Sequence, residues 1–189
     1  MSAEAPSAGP AEPPPGGPAG AGPEIALQNP SRYPEAAARR LRPWLGRLLA
    51  ELAPGAASFG ARFVGDRVMR RTNRDFRGKD RTTDVLSFPG GPTPEGRHLG
   101  DVLVCVPAAR RQAAESGRPA GREVCRLLLH GLLHCLGHDH ERDGGRMERL
   151  ERRLAARWLD GGEHGGAEGG VDAEAGGAGG RASRRRRRV

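Results

Sequence analysis

The sequence predicts an α+β fold on two observations: strand-like patterns come early in the chain, and helical patterns cluster late. Ile25–Gln28 reads as a short first strand. Over Pro34–Leu52, the residues Leu41, Trp44, Leu45, Leu48, Leu49 and Leu52 fall on one helical stripe with arginines elsewhere, an amphipathic helix that Pro54-Gly55 ends. Ser58–Val64 alternates weakly as a strand, and Asp66 is expected to cap a short helix through Asn73. A polar loop, Arg77-Gly78-Lys79-Asp80-Arg81, leads into a strand at Thr83–Phe88, which Pro89-Gly90 stops. Gly91–Arg97 reads as a Gly/Pro turn. Leu99–Val106, rich in Val and bounded by Gly100 and Pro107, carries the strongest strand signal. Three helical segments follow, at Ala108–Ser116, Ala120–Leu136 and Gly144–Trp158.

Both ends look too polar and too rich in small residues to join a core. Residues 1–22 are almost wholly Ala, Pro, Gly and Ser, and such a segment cannot bury enough apolar surface to offset the entropy of ordering. Residues 160–189, Gly-rich and ending in RASRRRRRV, are expected to be disordered as well, leaving 23–159 as one domain of ordinary size. The N-terminal segment lacks the basic start and apolar stretch of a signal peptide, and no apolar run approaches a membrane span. Cys105, Cys125 and Cys135 are odd in number and form no CxxC pair, which fits a reducing cytoplasm better than a disulfide framework.

The chain holds 31 basic and 23 acidic residues, a formal net charge of +8. Residues 1–24 and 160–189 together take six of the bases and eight of the acids, so residues 25–159 hold 25 bases against 15 acids, or +10. A domain more basic than its chain favours a polyanionic partner, nucleic acid being the commonest; the alternative is charge that serves only solubility. The terminal arginine run is read as an accessory RNA contact.

Four of the six histidines lie between His130 and His140. His130 and His134 are four residues apart in a leucine-rich helical segment, so both imidazoles leave one face about one turn apart. Gly137 offers the left-handed conformation that ends a helix, after which the chain can reverse and bring His140 to the same point. Three neutral imidazoles with an open fourth position make a catalytic type of zinc site rather than a closed structural one. His138 flanks the site, and Asp139 either orients a ligand from behind or caps the segment after it. The spacing of His130, His134 and His140 matches the metzincin peptidase pattern HExxHxxGxxH, except that Gly131 stands where a peptidase carries its water-activating glutamate. A metal-dependent hydrolase with another substrate fits better.

The segment HGLLHCLGHDH closely resembles HGxLHLxGYDH, the signature of the YbeY family of bacterial endoribonucleases and rRNA maturation factors. Further stretches agree in order: Asn73–Asp80 (NRDFRGKD), Thr83–Pro89 (TDVLSFP), and Leu99-Gly100-Asp101-Val102 followed by Gln112-Ala113. His138 and Cys135 depart from the usual tyrosine and leucine, and neither position is a family ligand. The resemblance implies a small mixed β-sheet packed with helices and a metzincin-like three-histidine site, with one Zn²⁺ per chain held by His130, His134 and His140. It implies hydrolysis of single-stranded RNA in 16S rRNA maturation and ribosome quality control, with ribosomal RNA, the small ribosomal subunit and ribosome-associated proteins as partners. The family's functional arginine falls on Arg77, expected to steady charge on the phosphodiester while His130 serves at the catalytic centre. Lys79 and Arg81 are expected to join Arg77 in binding RNA. The competing readings are a ribosome-assembly factor with a structural metal and a zinc peptidase.

Overall fold

A computed structural model describes residues 22–139 and 143–160. The elements are β1 (Glu24–Gln28), α1 (Ala38–Leu52), β2 (Ala56–Val64), α2 (Asp66–Arg77), β3 (Val85–Pro89), β4 (Pro92–Thr93), β5 (Gly96–Cys105), α3 (Val106–Glu115), α4 (Ala120–Cys135) and α5 (Arg146–Ala155), the last continued by a π-helical turn, Ala156–Asp160. The strands form one mixed sheet in the order β1-β2-β5-β3. β1, β2 and β5 are parallel, and β3 runs antiparallel to β5. The fold is therefore α+β with a mixed sheet, as expected.

Several boundaries differ from the sequence reading, each for a local reason. The expected single helix over Pro34–Leu52 is a 3-10 turn, Pro34–Ala36, then a break at Ala37 (ψ 118°), then α1. Asp66 does not cap α2. Gly65 is the N-cap, Asp66 is the first helical residue, and its carboxylate is engaged by the Arg111 guanidinium (2.8 Å). The helix also runs on to Arg77, because arginine is a good helix former and the first breaker is Gly78, held left-handed at φ 66°. Val106 opens α3 rather than closing β5, with Pro107 beside it in the first turn. The stretch read as a Gly/Pro turn is mostly hairpin. Pro89 lies opposite Gly100 and Pro92 opposite Arg97, and the Gly90 N–H donates to the Leu99 carbonyl (3.0 Å) between them. Only Pro94-Glu95 turns the chain. The last helix begins at Arg146, where Asp143 accepts from the N–H groups of Gly145, Arg146 and Met147.

Helix α4 is the axis of the molecule. It packs against β3, β5, α3 and α5, and Val124, Cys125, Leu127, Leu128, Leu129, Leu132, Leu133 and Cys135 are all buried. A helix apolar on nearly every side belongs inside a core. The sheet supplies Phe59, Phe63, Leu99, Val102 and Val104 to that core, and α1 supplies Leu41, Trp44, Leu45, Leu48 and Leu49. One row on α4 stays open: Arg126, His130 and His134, at successive i, i+4 positions.

Candidate metal centre and basic cleft

The histidine row forms one wall of a cleft of about 660 Å³. His130 Nε2 and His134 Nε2 lie 3.2 Å apart, with their rings crossing edge-to-face at 72°. α4 then ends as the glycine implied: Gly137 takes φ 92°, its N–H donates to the His134 carbonyl (3.0 Å), and the His138 N–H reaches back to the Leu133 carbonyl (3.0 Å). This cap turns His138 and Asp139 into the cleft lining. His140, the third expected ligand, lies outside the described residues. Among the described residues no group of three His, Cys, Asp or Glu side chains is arranged to hold a metal.

The His130–His134 pair has the spacing of two ligands of a zinc ion. Two ligands of a tetrahedral site with zinc–nitrogen bonds of about 2.0–2.1 Å stand roughly 3.3 Å apart. The His130–His134 separation matches that edge, and borderline-soft imidazoles are the donors zinc favours.

A second part of the lining comes from the C-terminus of α2 and the loop after it, which carry Arg77, Lys79 and Arg81 into the same cleft. Buried Asn73, 2 % exposed, donates from Nδ2 to the Arg81 carbonyl (2.7 Å). The Gly78 N–H caps the helix on the Arg74 carbonyl (3.0 Å). Asp80 is turned away from the cleft and makes a bidentate pair with Arg70 (2.9 and 2.8 Å), whose hydrogen bonds hold its carboxyl below the usual range. Of the two acids in the loop, Asp80 is thus engaged by Arg70, while Asp84 lines the cleft with the three cations. On the floor, Asp84 accepts from Gln112 Nε2 (2.8 Å) and the Val85 N–H (2.9 Å). Although burial works to raise its pKa, these bonds keep the carboxyl below its ordinary value.

Gly131 faces the sheet. A Cβ built there would stand 2.5 and 2.9 Å from the two Val102 methyls and 3.1 Å from Ser87 Oγ. Any side chain here would force the helix or Val102 to shift, so packing disfavours a peptidase-type glutamate at this position.

Two residues to which the sequence reading gave no role lie beside residues of this site. Glu151 of α5 accepts from His130 Nδ1 (2.8 Å), and the same carboxylate meets Arg126 (3.4 Å). Burial works to raise the Glu151 pKa, but the His130 hydrogen bond and the surrounding positive charge leave it lowered. A signal was there: Glu151 is a charge on the stripe Met147, Glu151, Leu154, the face of α5 that packs inward. Phe76, beside Arg77, is 68 % exposed and is the one exposed large hydrophobic among the described residues, its ring edge-on to Phe88 at 5.1 Å.

Residues 28–159 match the family of Endoribonuclease YbeY. A relative from Solibacter usitatus named Endoribonuclease YbeY is 51 % identical over 111 residues, covering 59 % of this chain and 72 % of its own. One of the same name from Geobacter sulfurreducens is 38 % identical over 147 residues, covering 74 % and 98 %. Another, from Myxococcus xanthus, is 43 % identical over 123 residues; this chain spans 62 % of its own length there but only 42 % of that longer protein. An α+β protein with histidines facing a basic cleft is the class that the geometry defines. The chain belongs to the YbeY family.

Proposed function

We propose that this protein is a zinc-dependent endoribonuclease that cuts single-stranded RNA, acting in 16S rRNA maturation and ribosome quality control. The observation that carries the reading is the meeting in one cleft of the paired imidazoles on α4 with Arg77 at the end of α2 and Lys79 and Arg81 on the loop after it. The names of the relatives agree with it.

The residues divide the work by their chemistry. A phosphodiester gains negative charge on its way to cleavage, and the Arg77 guanidinium can hold two of its oxygens at once. Lys79 and Arg81 bind neighbouring phosphates and set the strand along the cleft. His130, His134 and His140 would hold the zinc ion, which when bound supplies Lewis-acid polarisation and water activation. Phe76, next to Arg77 in the chain, offers an exposed ring to an unpaired base, a contact that a stacked duplex cannot make.

The test joins metal analysis to cleavage of an rRNA precursor by the wild type and by His134→Ala. Stoichiometric zinc in the wild type, with cleavage lost in a variant that keeps its fold, supports the reading. Loss of the fold in His134→Ala favours the assembly factor with a structural metal instead. Product ends separate the two attack routes: a 2′,3′-cyclic phosphate would eliminate direct attack by activated water. Casein hydrolysis by the pure protein would revive the peptidase, which the packing of Gly131 disfavours.

A further inference from the structure

We infer that Glu151 is the positioning residue for His130, fixing its ring and tautomer so that Nε2 faces the metal site. The inference rests on reading His130 as a metal ligand. His130 meets Glu151 Oε2 through Nδ1 at 2.8 Å. An ionised carboxylate only accepts, so Nδ1 carries the proton; in a neutral imidazole Nε2 is then the bare lone-pair atom, the form a metal requires. Nε2 is also the atom directed at His134 Nε2.

The carboxylate is itself held in place. Its second oxygen, Oε1, lies 3.4 Å from Arg126 Nη1, and Arg126 is gripped by Glu123 through Nε (2.7 Å) and Nη2 (2.6 Å). Glu123 is 2 % exposed, so the anchor of the series is buried. Four side chains therefore link in the order Glu123, Arg126, Glu151, His130, crossing from α4 to α5 and back. Met147 and Leu154 flank Glu151 on the inward face of α5, where an apolar residue would avoid the cost of taking a charge from water. A charge kept at that position, and aimed at one ring nitrogen, is accounted for by what it does to the histidine.

Zinc affinity of the full-length chain, measured by competition with a chromophoric chelator, tests this. Glu151→Ala is expected to bind zinc about 10- to 100-fold more weakly, and Glu151→Gln, which keeps an acceptor at the same reach, to recover most of the loss. ¹⁵N spectroscopy of the zinc-loaded wild type is expected to find His130 Nδ1 protonated and Nε2 bound. Zinc on Nδ1, or a Glu151→Ala affinity within about twofold of wild type, overturns the inference. Should Glu151→Ala fail to fold, the wild-type tautomer decides alone. A wild type that binds no zinc removes the metal reading and this inference together, whereas wild-type binding with an unchanged variant removes only the inference.

Discussion

Replacing Gly131 by alanine is expected to destabilise the protein, against the usual trend for a helix interior. In a solvent-facing helix the change would stabilise by about 1 kcal/mol, since alanine loses less backbone entropy on folding. Here the new Cβ would fall 2.5 Å from Val102 Cγ1 and 2.9 Å from Cγ2, against an optimum of about 3.5–4.0 Å. Val102 is fully buried and β-branched, so turning it about χ1 replaces one offending methyl with the other. Ser87 Oγ at 3.1 Å closes a third side. The helix must retreat from the sheet, and overpacking of this kind costs about 1–3 kcal/mol. Set against the propensity gain, the net is a loss of up to about 2 kcal/mol. His130 precedes this position and His134 follows it within a turn, so the same retreat displaces both imidazoles and is expected to weaken zinc binding. Urea unfolding followed by far-UV circular dichroism reads the stability, as a lower midpoint with unchanged slope. A variant more stable than wild type would refute the steric argument.

Arg77→Ala is expected to lower RNA cleavage about a hundredfold or more while leaving the melting temperature unchanged, because no ion pair to Arg77 exists among the described residues; unchanged cleavage would remove its catalytic role. Phe76→Ala should weaken binding of single-stranded RNA by about 1–3 kcal/mol, as loss of one stacked base does, and leave binding of a duplex alone; equal effects on both would argue against stacking. Burial pushes the thiols of Cys125 and Cys135 up to about 12 and that of Cys105 up to about 11, so at pH 8 all three should resist alkylation until urea unfolds the chain, as mass spectrometry would detect. For Asp84, whose folded pKa lies below its ordinary 3.8, the carboxylate's contribution to stability is complete above that value and is lost as pH falls through the lower one. The stability gap between wild type and Asp84→Asn, from urea midpoints, should therefore be constant above pH 5 and shrink below pH 4; a gap that persists at pH 2.5 would contradict the assignment.

Much of the site was legible because it is local. The i, i+4 spacing of His130 and His134 sets both rings on one face of a helix, and the backbone of Gly137 ends that helix, whatever the rest of the chain does. Arg77, Lys79 and Arg81, near neighbours at the end of α2 and on the loop after it, were picked out through the resemblance of their motif, and the structure places all three in the lining of one cleft. What stayed hidden depends on contacts distant in sequence. Asp66 looked like a cap because its partner Arg111 lies 45 residues away. The hairpin of β3, β4 and β5 looked like a turn because its ladder is written in backbone hydrogen bonds, which proline and glycine composition does not reveal.

By itself, the sequence determined the α+β class, the paired histidines with their terminating glycine, and a domain more basic than its chain, because periodicity, helical spacing and charge follow directly from residue order. It also showed that Gly131 stands in place of a peptidase glutamate. Only the tertiary structure decided why: the sheet comes so close to α4 that a side chain there would force one of them to shift. Only it, too, brought the α2 loop and α4 to one cleft, paired Asp80 with Arg70, and brought Glu151 from α5 to His130. Those placements come from helix-on-sheet packing between segments far apart in the chain, and packing is a property of the assembled core.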